Sequence, residues 1–211
     1  MNNTPDTKEQ ILDGYIEYLL TEESKPLSIY KFCKTLKIDD QMFYEHFGSF
    51  DQVESYFWSQ LINHTSSLVH EDKHESTHHQ ILSFYYTLFE NFKLHRSFIL
   101  FLYQQENNVF HFEFRLRKSV KPHLTEFSKS ITTAIHNISE DLGDKLTEQG
   151  MWLHFIALFN FWIKDESPGF EKTDLFIEKS IRLGIDLSNS IPTDSMLDFG
   201  KFIFKEFKKV V

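Results

Sequence analysis

Apolar side chains recur three or four residues apart along almost the whole chain, which is the spacing of one face of an α-helix. The pattern starts in residues 11–19 and returns, after polar breaks, as far as residues 199–210. Only 7 glycines and 5 prolines are present among the 211 residues, too few for the many tight turns of an all-β protein. These features predict an all-α fold.

Polar residues just before the periodic segments predict where helices begin. Ser28, Asp39 and Asp51 can each cap a helix in the N-terminal part of the chain. A polar break, "HEDKHESTHH", follows from His70 to His79. Beyond this break, helices are predicted near residues 81–92, 98–102, 114–138, 152–163, 175–188 and 199–210.

Charge, cysteine content and motifs narrow the functional classes. The formal net charge is −9, and an acidic surface repels DNA, although a small basic face on an acidic protein is compatible with binding. The only cysteine, Cys33, rules out a disulfide framework and is predicted to be inert packing. No nucleophile elbow, glycine-rich phosphate loop or paired-carboxylate motif is found, so we expect no enzymatic activity and no cofactor. Without a secretory signal or a bilayer-length apolar run, we expect a soluble cytoplasmic protein.

Four histidines lie close together in the polar break. His70, His74 and His78 are four residues apart, and His79 is adjacent to the last of them. On one helix this spacing can form a zinc or nickel site. The alternative is a solvated helix end and loop, because no HExxH motif or cysteine accompanies the cluster. We predict no metal site and leave metal binding at this cluster open.

The segment "LSIYKFCKTLKIDDQMFYEHFGSFDQV", residues 27–53, has the pattern of a helix, a tight turn and a second helix. Its residues Phe43-Tyr44-Glu45-His46-Phe47 stand where the TetR family of bacterial transcriptional regulators has a Leu-Tyr-x-His/Tyr-Phe signature. Ser28 stands where that family has Ser or Thr, and Phe32-Cys33 stand at its Ile-Ala. The chain therefore resembles the TetR family from about Ile11 to Leu61, and residues 159–187 look like its penultimate pair of helices.

The resemblance implies a helix-turn-helix DNA-binding domain at residues 1–50 and a helical ligand-binding and dimerisation domain at residues 51–211. It implies a homodimeric transcriptional regulator, in particular a repressor, that responds to a small lipophilic ligand. For Tyr44 and His46, a role in the domain core is the alternative to a role at DNA. The DNA-binding candidates carried over by position are Ser28, Lys37, Gln41, Met42, Tyr44 and His46.

Three features of the N-terminal domain depart from the family pattern. Lys37 occupies a turn position where glycine is usual, and Phe50 replaces a lysine that contacts phosphate. Asp39 and Asp40 stand where the recognition helix usually begins with small polar residues. Residues 1–60 hold five lysines against eleven aspartates and glutamates. We therefore expect DNA binding that is weak and unusually salt-sensitive.

The larger domain carries residues for two further sites. Aromatic side chains in a helical interior can line a pocket for a lipophilic ligand, although a dense core is the alternative. The pocket candidates are Phe84, Tyr85, Phe89, Phe101, Tyr103, Phe112, Trp152, Phe155 and Phe159. Small residues at four-residue spacing, beside a helix that is apolar on nearly every side, indicate helix pairing between two copies. The dimer candidates are Phe161, Trp162, Ile177, Ser180, Ile181, Gly184 and Ser188.

A second functional class stays open beside the regulator. A TetR-like fold that has lost DNA binding can serve as an accessory protein that binds a lipid or a partner. The acidic N-terminal domain, the aromatic interior and the C-terminal "DFGKFIFKEFKKVV" suit this alternative. The last predicted helix, about Phe199 to Val210, is amphipathic and rich in lysine, so it is expected either to pack on the core or to bind a membrane surface.

Overall fold

The computed structural model describes residues 7–70, 77–106, 109–132 and 140–190, with side chains described for residues 7–69, 79–106, 111–129 and 148–184. Over these residues the chain forms helices and no strand, which confirms the all-α prediction. A 3-10 turn, Pro168–Phe170, lies between the last two helices. The helices are α1 (Thr7–Glu22), α2 (Ile29–Leu36), α3 (Asp40–His46), α4 (Phe50–His70), α5 (Thr77–Leu94), α6 (Arg96–Gln105), α7 (Val109–Thr132), α8 (Glu140–Ile163) and α9 (Glu171–Ser190).

Several predicted features fall outside the described part of the chain. Of the histidine cluster, only His79 has a described side chain. Among the described residues, no group of histidine, cysteine and carboxylate side chains is arranged to hold a metal ion. The predicted helix from Phe199 to Val210 and the side chain of Ser188 also lie outside these ranges. None of the described helices combines the length and apolarity needed to cross a bilayer.

The predicted caps of α2 and α3 are confirmed. The hydroxyl oxygen of Ser28 accepts a hydrogen bond from the backbone N–H of Lys31 at 3.2 Å. The carboxylate of Asp39 accepts one from the backbone N–H of Gln41 at 3.1 Å. Each bond satisfies a donor that the first turn of a helix leaves without a partner, so both short helices have defined starts.

The chain packs as two compact units. The first unit combines Met1–Thr65 with Leu88–His123, and the second combines Ser66–Thr87 with Leu124–Val211. These units describe packing. The functional boundary placed between residues 50 and 51 stays a prediction.

The core of the first unit is largely aromatic. The ring of Tyr15 on α1 stacks on Phe50 at the start of α4, with 5.0 Å between centroids. Phe57 of α4 meets the ring of Phe98 on α6 edge-on at 4.9 Å. Helix α1 packs against α6. Edge-on and stacked pairs of this kind add to the stability gained from burying the rings.

The second unit joins α5, the end of α7, α8 and α9. Phe84 of α5 stacks on Phe127 of α7 with 4.0 Å between centroids. The buried hydroxyl of Tyr85 donates to the backbone carbonyl of Met151 on α8 at 3.1 Å, and burial raises the pKa of this phenol. Helix α8 packs against α9, with Trp162 fully buried. The apolar surface of α8 is thus mostly internal to the chain.

Candidate nucleic-acid interface

The turn between α2 and α3 is built on Lys37. Its backbone adopts the left-handed conformation, with φ 57° and ψ 35°. The N–H of Lys37 donates to the carbonyl of Lys34 at 3.3 Å, and the N–H of Ile38 donates to that of Cys33 at 3.1 Å. Glycine takes this conformation at the least cost. The tight turn of a helix-turn-helix is therefore kept although lysine stands at the turn position.

All six predicted DNA-binding residues lie at the surface of this domain, α1–α3, here called the head. Tyr44 and Met42 on α3 expose 57% and 37% of their surface. Phe43 and Phe47 are buried, which confirms their predicted role in the core. Helix α3 thus has one face in the core and one face available to a partner. The six exposed residues are Ser28, Lys37, Gln41, Met42, Tyr44 and His46.

Ser28 keeps a hydrogen-bond donor for an anion. Its oxygen accepts from the backbone of Lys31, and this contact leaves the hydroxyl proton to be donated elsewhere. The residue is exposed at the N-terminus of α2. Its position suits a contact with a phosphate oxygen of DNA.

The first turn of α3 is negatively charged. Hydrogen bonds from the backbone of Gln41, and then from Asp40, lower the pKa of the Asp39 carboxyl. Asp39 is therefore an anion at neutral pH. It occupies the positive end of the helix dipole that a DNA phosphate would otherwise meet.

The head has few lysines to balance this negative charge. Lys8 and Lys34 lie over tyrosine rings, at 4.1 and 5.1 Å from the centroids. A third lysine forms an ion pair with a buried glutamate at 3.1 Å. Lys25, Lys31, Lys34 and Lys37 are all exposed. So few cations for neutralising phosphates predict a low affinity for DNA.

Phe50 explains the absence of the expected phosphate-contacting lysine. Its ring lies between those of Tyr15, Phe32 and Phe43, at centroid distances of 5.0, 5.4 and 5.6 Å. The position that carries a cation in the family pattern is here part of the aromatic core. Phe50 therefore adds to the packing of the aromatic core and provides no cation at this position.

A buried carboxylate, which the sequence analysis missed, lies on α4. Glu54 is only 3% exposed. It accepts a hydrogen bond from the hydroxyl of Tyr15 at 2.8 Å and pairs with the ammonium group of Lys25 at 3.1 Å. The guanidinium of Arg115 on α7 also contacts it. A carboxylate buried to this degree is stable only with such partners.

Arg115 joins two further carboxylates to this group. Its Nη1 lies 2.6 Å from Glu106, and its Nη2 lies 3.2 Å from Asp51. Burial alone would lower the pKa of Arg115, but the carboxylates of Glu54, Glu106 and Asp51 raise it. The residues of this network lie between positions 15 and 115 of the chain. Their contacts could therefore not be predicted from local sequence spacing. The Glu54 junction, as we name this network, comprises Tyr15, Lys25, Asp51, Glu54, Glu106 and Arg115.

A small cavity lies beside the Glu54 junction. Its volume is about 20 Å³, which is room for one water molecule. Phe112 is the one predicted pocket residue that lines it. The lining residues are Glu54, Ser55, Trp58, Leu102, Phe112, Arg115, Leu116 and Ser119.

The other predicted pocket residues are distributed over both units. Phe89, Phe101 and Tyr103 belong to the first unit, and the remainder belong to the second. Phe101 and Tyr103 are half-buried. The fully or almost fully buried members are Phe84, Tyr85, Phe89, Phe112, Trp152, Phe155 and Phe159. Most of these rings serve as core in the described structure.

The predicted dimer residues divide into buried and exposed members. Trp162, Ile177 and Ile181 are buried within the chain itself, and so they are part of its own core. Ser180 is half-buried, 2.7 Å from His154. Phe161 and Gly184 are exposed.

Larger apolar residues on the same two helices are exposed, and the three leucines among them were not predicted. On α8, Leu153 exposes 55% of its surface and Phe161 39%. On α9, Leu175 exposes 48% and Leu183 59%. Within each pair the residues are eight positions apart, which places them on one side of a helix. That spacing was the signal available in the sequence.

The chain matches a known protein family over most of its length. Residues 80–203 match the family described as "Tetracyclin repressor-like, C-terminal domain". Because the match covers more than half of the chain, the protein belongs to the tetracycline repressor (TetR) family, and the predicted family membership is confirmed. Comparison with curated proteins found no match.

Proposed function

We propose that the protein is a dimeric TetR-family transcriptional regulator, acting as a repressor, whose head binds DNA weakly and in a salt-dependent way. Family membership supports a regulator in general terms. The observation that carries the DNA-binding proposal is the head itself. Its two capped helices, joined by a left-handed turn, expose all six residues expected to meet DNA.

The charge of the head sets the strength of the interaction. Each phosphate contact contributes about one unit to the slope of log affinity against log salt concentration. The exposed Lys31, Lys34 and Lys37 offer at most three such contacts. Asp39 and Asp40 oppose them. Two heads joined in one dimer compensate in part, because the second head binds at a high effective concentration.

The exposed leucines of α8 and α9 support a second copy of the chain as the dimer partner. Two packed helices that both expose large apolar residues present an apolar surface to water, and the free energy of that exposure is unfavourable. Burial of Leu153, Phe161, Leu175 and Leu183 in a symmetric pairing removes that cost. The proposed dimer surface therefore adds three leucines to the exposed members predicted from the sequence.

The proposed ligand is small and lipophilic, as the family pattern implies. The cavity in the first unit has apolar walls at Trp58, Leu102 and Phe112, and these support the proposal, although Glu54 and Arg115 also line it. At about 20 Å³, it must widen to admit anything larger than water.

Titration of a labelled DNA duplex tests the function of the head. Duplexes from the promoter region of the protein's own gene are titrated at low and at physiological salt. We compare the wild type with the double variant Asp39→Ser/Asp40→Lys, which keeps a capping residue. The variant is expected to bind more tightly. The control, Glu166→Ser/Glu178→Lys, makes the same change in net charge at exposed positions of the second unit and is expected to match the wild type.

The outcome separates the two functional classes. Nanomolar binding by the wild type at physiological salt contradicts the charge argument and favours an ordinary repressor. If neither the wild type nor the double variant binds any duplex, the second candidate is favoured. This candidate is an accessory protein that binds a lipid or a partner, and the excess of carboxylates in residues 1–60 together with the internal position of Phe50 is what supports it.

A further inference from the structure

We propose that Arg115 is a positioning residue that locks the head to α6 and α7, so that a displacement of α7 reaches the DNA-reading helices. The purpose of this lock rests on the proposed function, but its existence rests on the Glu54 junction alone. Tyr15 and Lys25 enter the junction from the head, whereas Arg115 enters it from α7. All its members belong to the first unit.

The charges make Arg115 the member on which the junction depends. With Arg115 present, two cations face the three carboxylates of Asp51, Glu54 and Glu106. Without it, only Lys25 faces them. Glu54 is almost completely buried, so it cannot exchange a lost partner for bulk water. Withdrawal of the guanidinium therefore forces these carboxylates to separate.

The aromatic core connects this event to α3. The hydroxyl of Tyr15 is held by Glu54, while its ring meets Phe32 of α2 edge-on at 5.9 Å between centroids. The ring of Phe32 meets Phe43 of α3 at 6.3 Å. A shift of Glu54 is thus passed through two packed rings to the helix that carries the DNA-binding candidates. Contact between these rings does not by itself prove that they move together. The test therefore measures the position of α3 directly.

The measurement is a distance between nitroxide labels on Glu45→Cys in α3 and Lys118→Cys in α7, both exposed positions of the first unit. Cys33 is buried, and burial raises the pKa of its thiol, so the reagent reacts at the two exposed cysteines. Labelled chains are diluted with unlabelled ones so that only distances within one chain are recorded. No DNA or ligand is present, so failure of the proposed function does not affect the result.

Three variants are compared with the wild type in this assay. Arg115→Met removes the charge, and Arg115→Lys keeps it with a shorter reach. Arg117→Met is the matched control, an exposed arginine two residues along the same helix. The wild type, Arg117→Met and Arg115→Lys are expected to share one mean distance. Arg115→Met is expected to give a shifted or clearly broader distribution.

An Arg115→Met distribution identical to that of the wild type overturns the proposal. If Arg115→Met does not fold, as judged by circular dichroism, Arg115→Gln takes its place. This variant also removes the charge that faces Glu54 but keeps a polar amide at the site, so it is expected to give a smaller change. No change from the wild type overturns the proposal equally.

Hydrogen exchange separates positioning from a general loss of stability. In Arg115→Met, exchange of the amides in α1 and α2 is expected to rise about tenfold relative to Arg117→Met, as a partly exposed ion pair to a buried carboxylate is lost. Amides at residues 148–184 in the second unit are expected to keep their rates. A uniform rise along the chain overturns the positioning role.

Discussion

A single carboxylate oxygen of Asp165, Oδ2, accepts both the backbone N–H and the hydroxyl of Thr173, at 2.9 and 2.7 Å. The other oxygen accepts the backbone N–H and the hydroxyl of Ser167, at 2.9 and 2.6 Å. One buried side chain therefore ties the end of α8 to the first turn of α9. Burial alone would raise the pKa of Asp165, but these four hydrogen bonds lower it to about 2.

Replacing Asp165 is expected to loosen the junction of α8 and α9. Asp165→Ala should lower the free energy of unfolding by about 1–2 kcal/mol at pH 7, the loss expected when a helix start loses its acceptor. Urea denaturation followed by circular dichroism measures it. The exposed neighbour provides the control, and Glu166→Ala should change little. Equal stability of the two variants would contradict the role assigned to Asp165.

Asp165 should also make the free energy of unfolding depend on pH in the acid range. Its pKa in the folded chain lies below the ordinary value of 3.8, so folding favours the ionised form. This contribution is complete above pH 3.8 and is lost as the pH falls towards 2. The difference in unfolding free energy between the wild type and Asp165→Ala should therefore shrink from pH 7 to pH 2.5. A difference that stays constant over this range would show that the hydrogen bonds do not need the charge.

We expect His154 to cause a second dependence of folding stability on pH, at a pH closer to neutral. Burial lowers the pKa of its imidazole to about 4. The hydroxyl of Ser180 donates to the carbonyl of Phe176 at 2.6 Å, so neutral His154 donates its Nε2–H to Ser180 across 2.7 Å. The unfolded chain binds a proton near pH 6.5 and the folded chain only near pH 4. The stability contributed by the neutral ring is therefore complete above pH 6.5 and is lost as the pH falls towards 4.

Unfolding titrations between pH 7.5 and pH 4.5 test this behaviour. His154→Gln keeps a donor towards Ser180 but does not titrate, so it should lose less stability than the wild type over this range. His111→Gln, at an exposed position of α7, serves as the control and should follow the wild type. Parallel curves for the wild type and His154→Gln would refute the assignment.

The proposed dimer surface predicts a change of oligomeric state. Leu183→Glu places a charge in a surface that is expected to be dry in the dimer, so the variant should sediment as a monomer at micromolar concentration. Gly184→Trp should act similarly by overpacking the dimer surface. Apart from its chain neighbours and the backbone of its own helix, no atom of the described residues lies within 4 Å of the position that its Cβ would take, so the fold of the protomer should survive. Leu27→Glu, 84% exposed in the head, should remain a dimer. A wild-type protein that sediments as a monomer at this concentration would exclude the proposed dimer.

Two aromatic residues of the head should respond oppositely to truncation. Phe50→Ala removes a ring packed among three others and should cost about 2 kcal/mol of stability, since the site is half-buried. Tyr44→Ala removes an exposed ring and should change stability by less than about 0.5 kcal/mol. In a DNA titration, the order should reverse, with Tyr44→Ala the more damaging of two variants that both remain folded. Equal stability losses would mean that the two rings are equally buried.

Local features of the sequence predicted much of the fold. Ser28 and Asp39 were recognisable as caps because a cap depends only on the next three residues. The apolar set that includes Phe43 and Phe47 identified the buried face of α3 because helical periodicity is also local. The exposed candidates of the head follow from the same periodicity, since the residues between the buried ones must face outward.

Contacts between distant positions could not be predicted in this way. Arg115 and Glu54 are 61 positions apart, and only the packing of α7 on α4 brings their charges together. Helix α8 posed a different problem, because a segment that is apolar on nearly every side does not reveal which side its own chain covers. Leu153 and Phe161 lie exposed whereas Trp162 is buried, and only the packing of the folded chain distinguishes them.

The left-handed backbone of Lys37 has a consequence for protein engineering. The left-handed conformation is unfavourable by about 1 kcal/mol for a residue with a side chain, whereas for glycine the free-energy difference is almost zero. A library of variants selected for heat resistance alone should therefore collect Lys37→Gly early. That change would delete one of the few exposed lysines of the head. Selection for thermal resistance should therefore favour glycine at position 37, whereas selection for affinity to an operator should favour lysine.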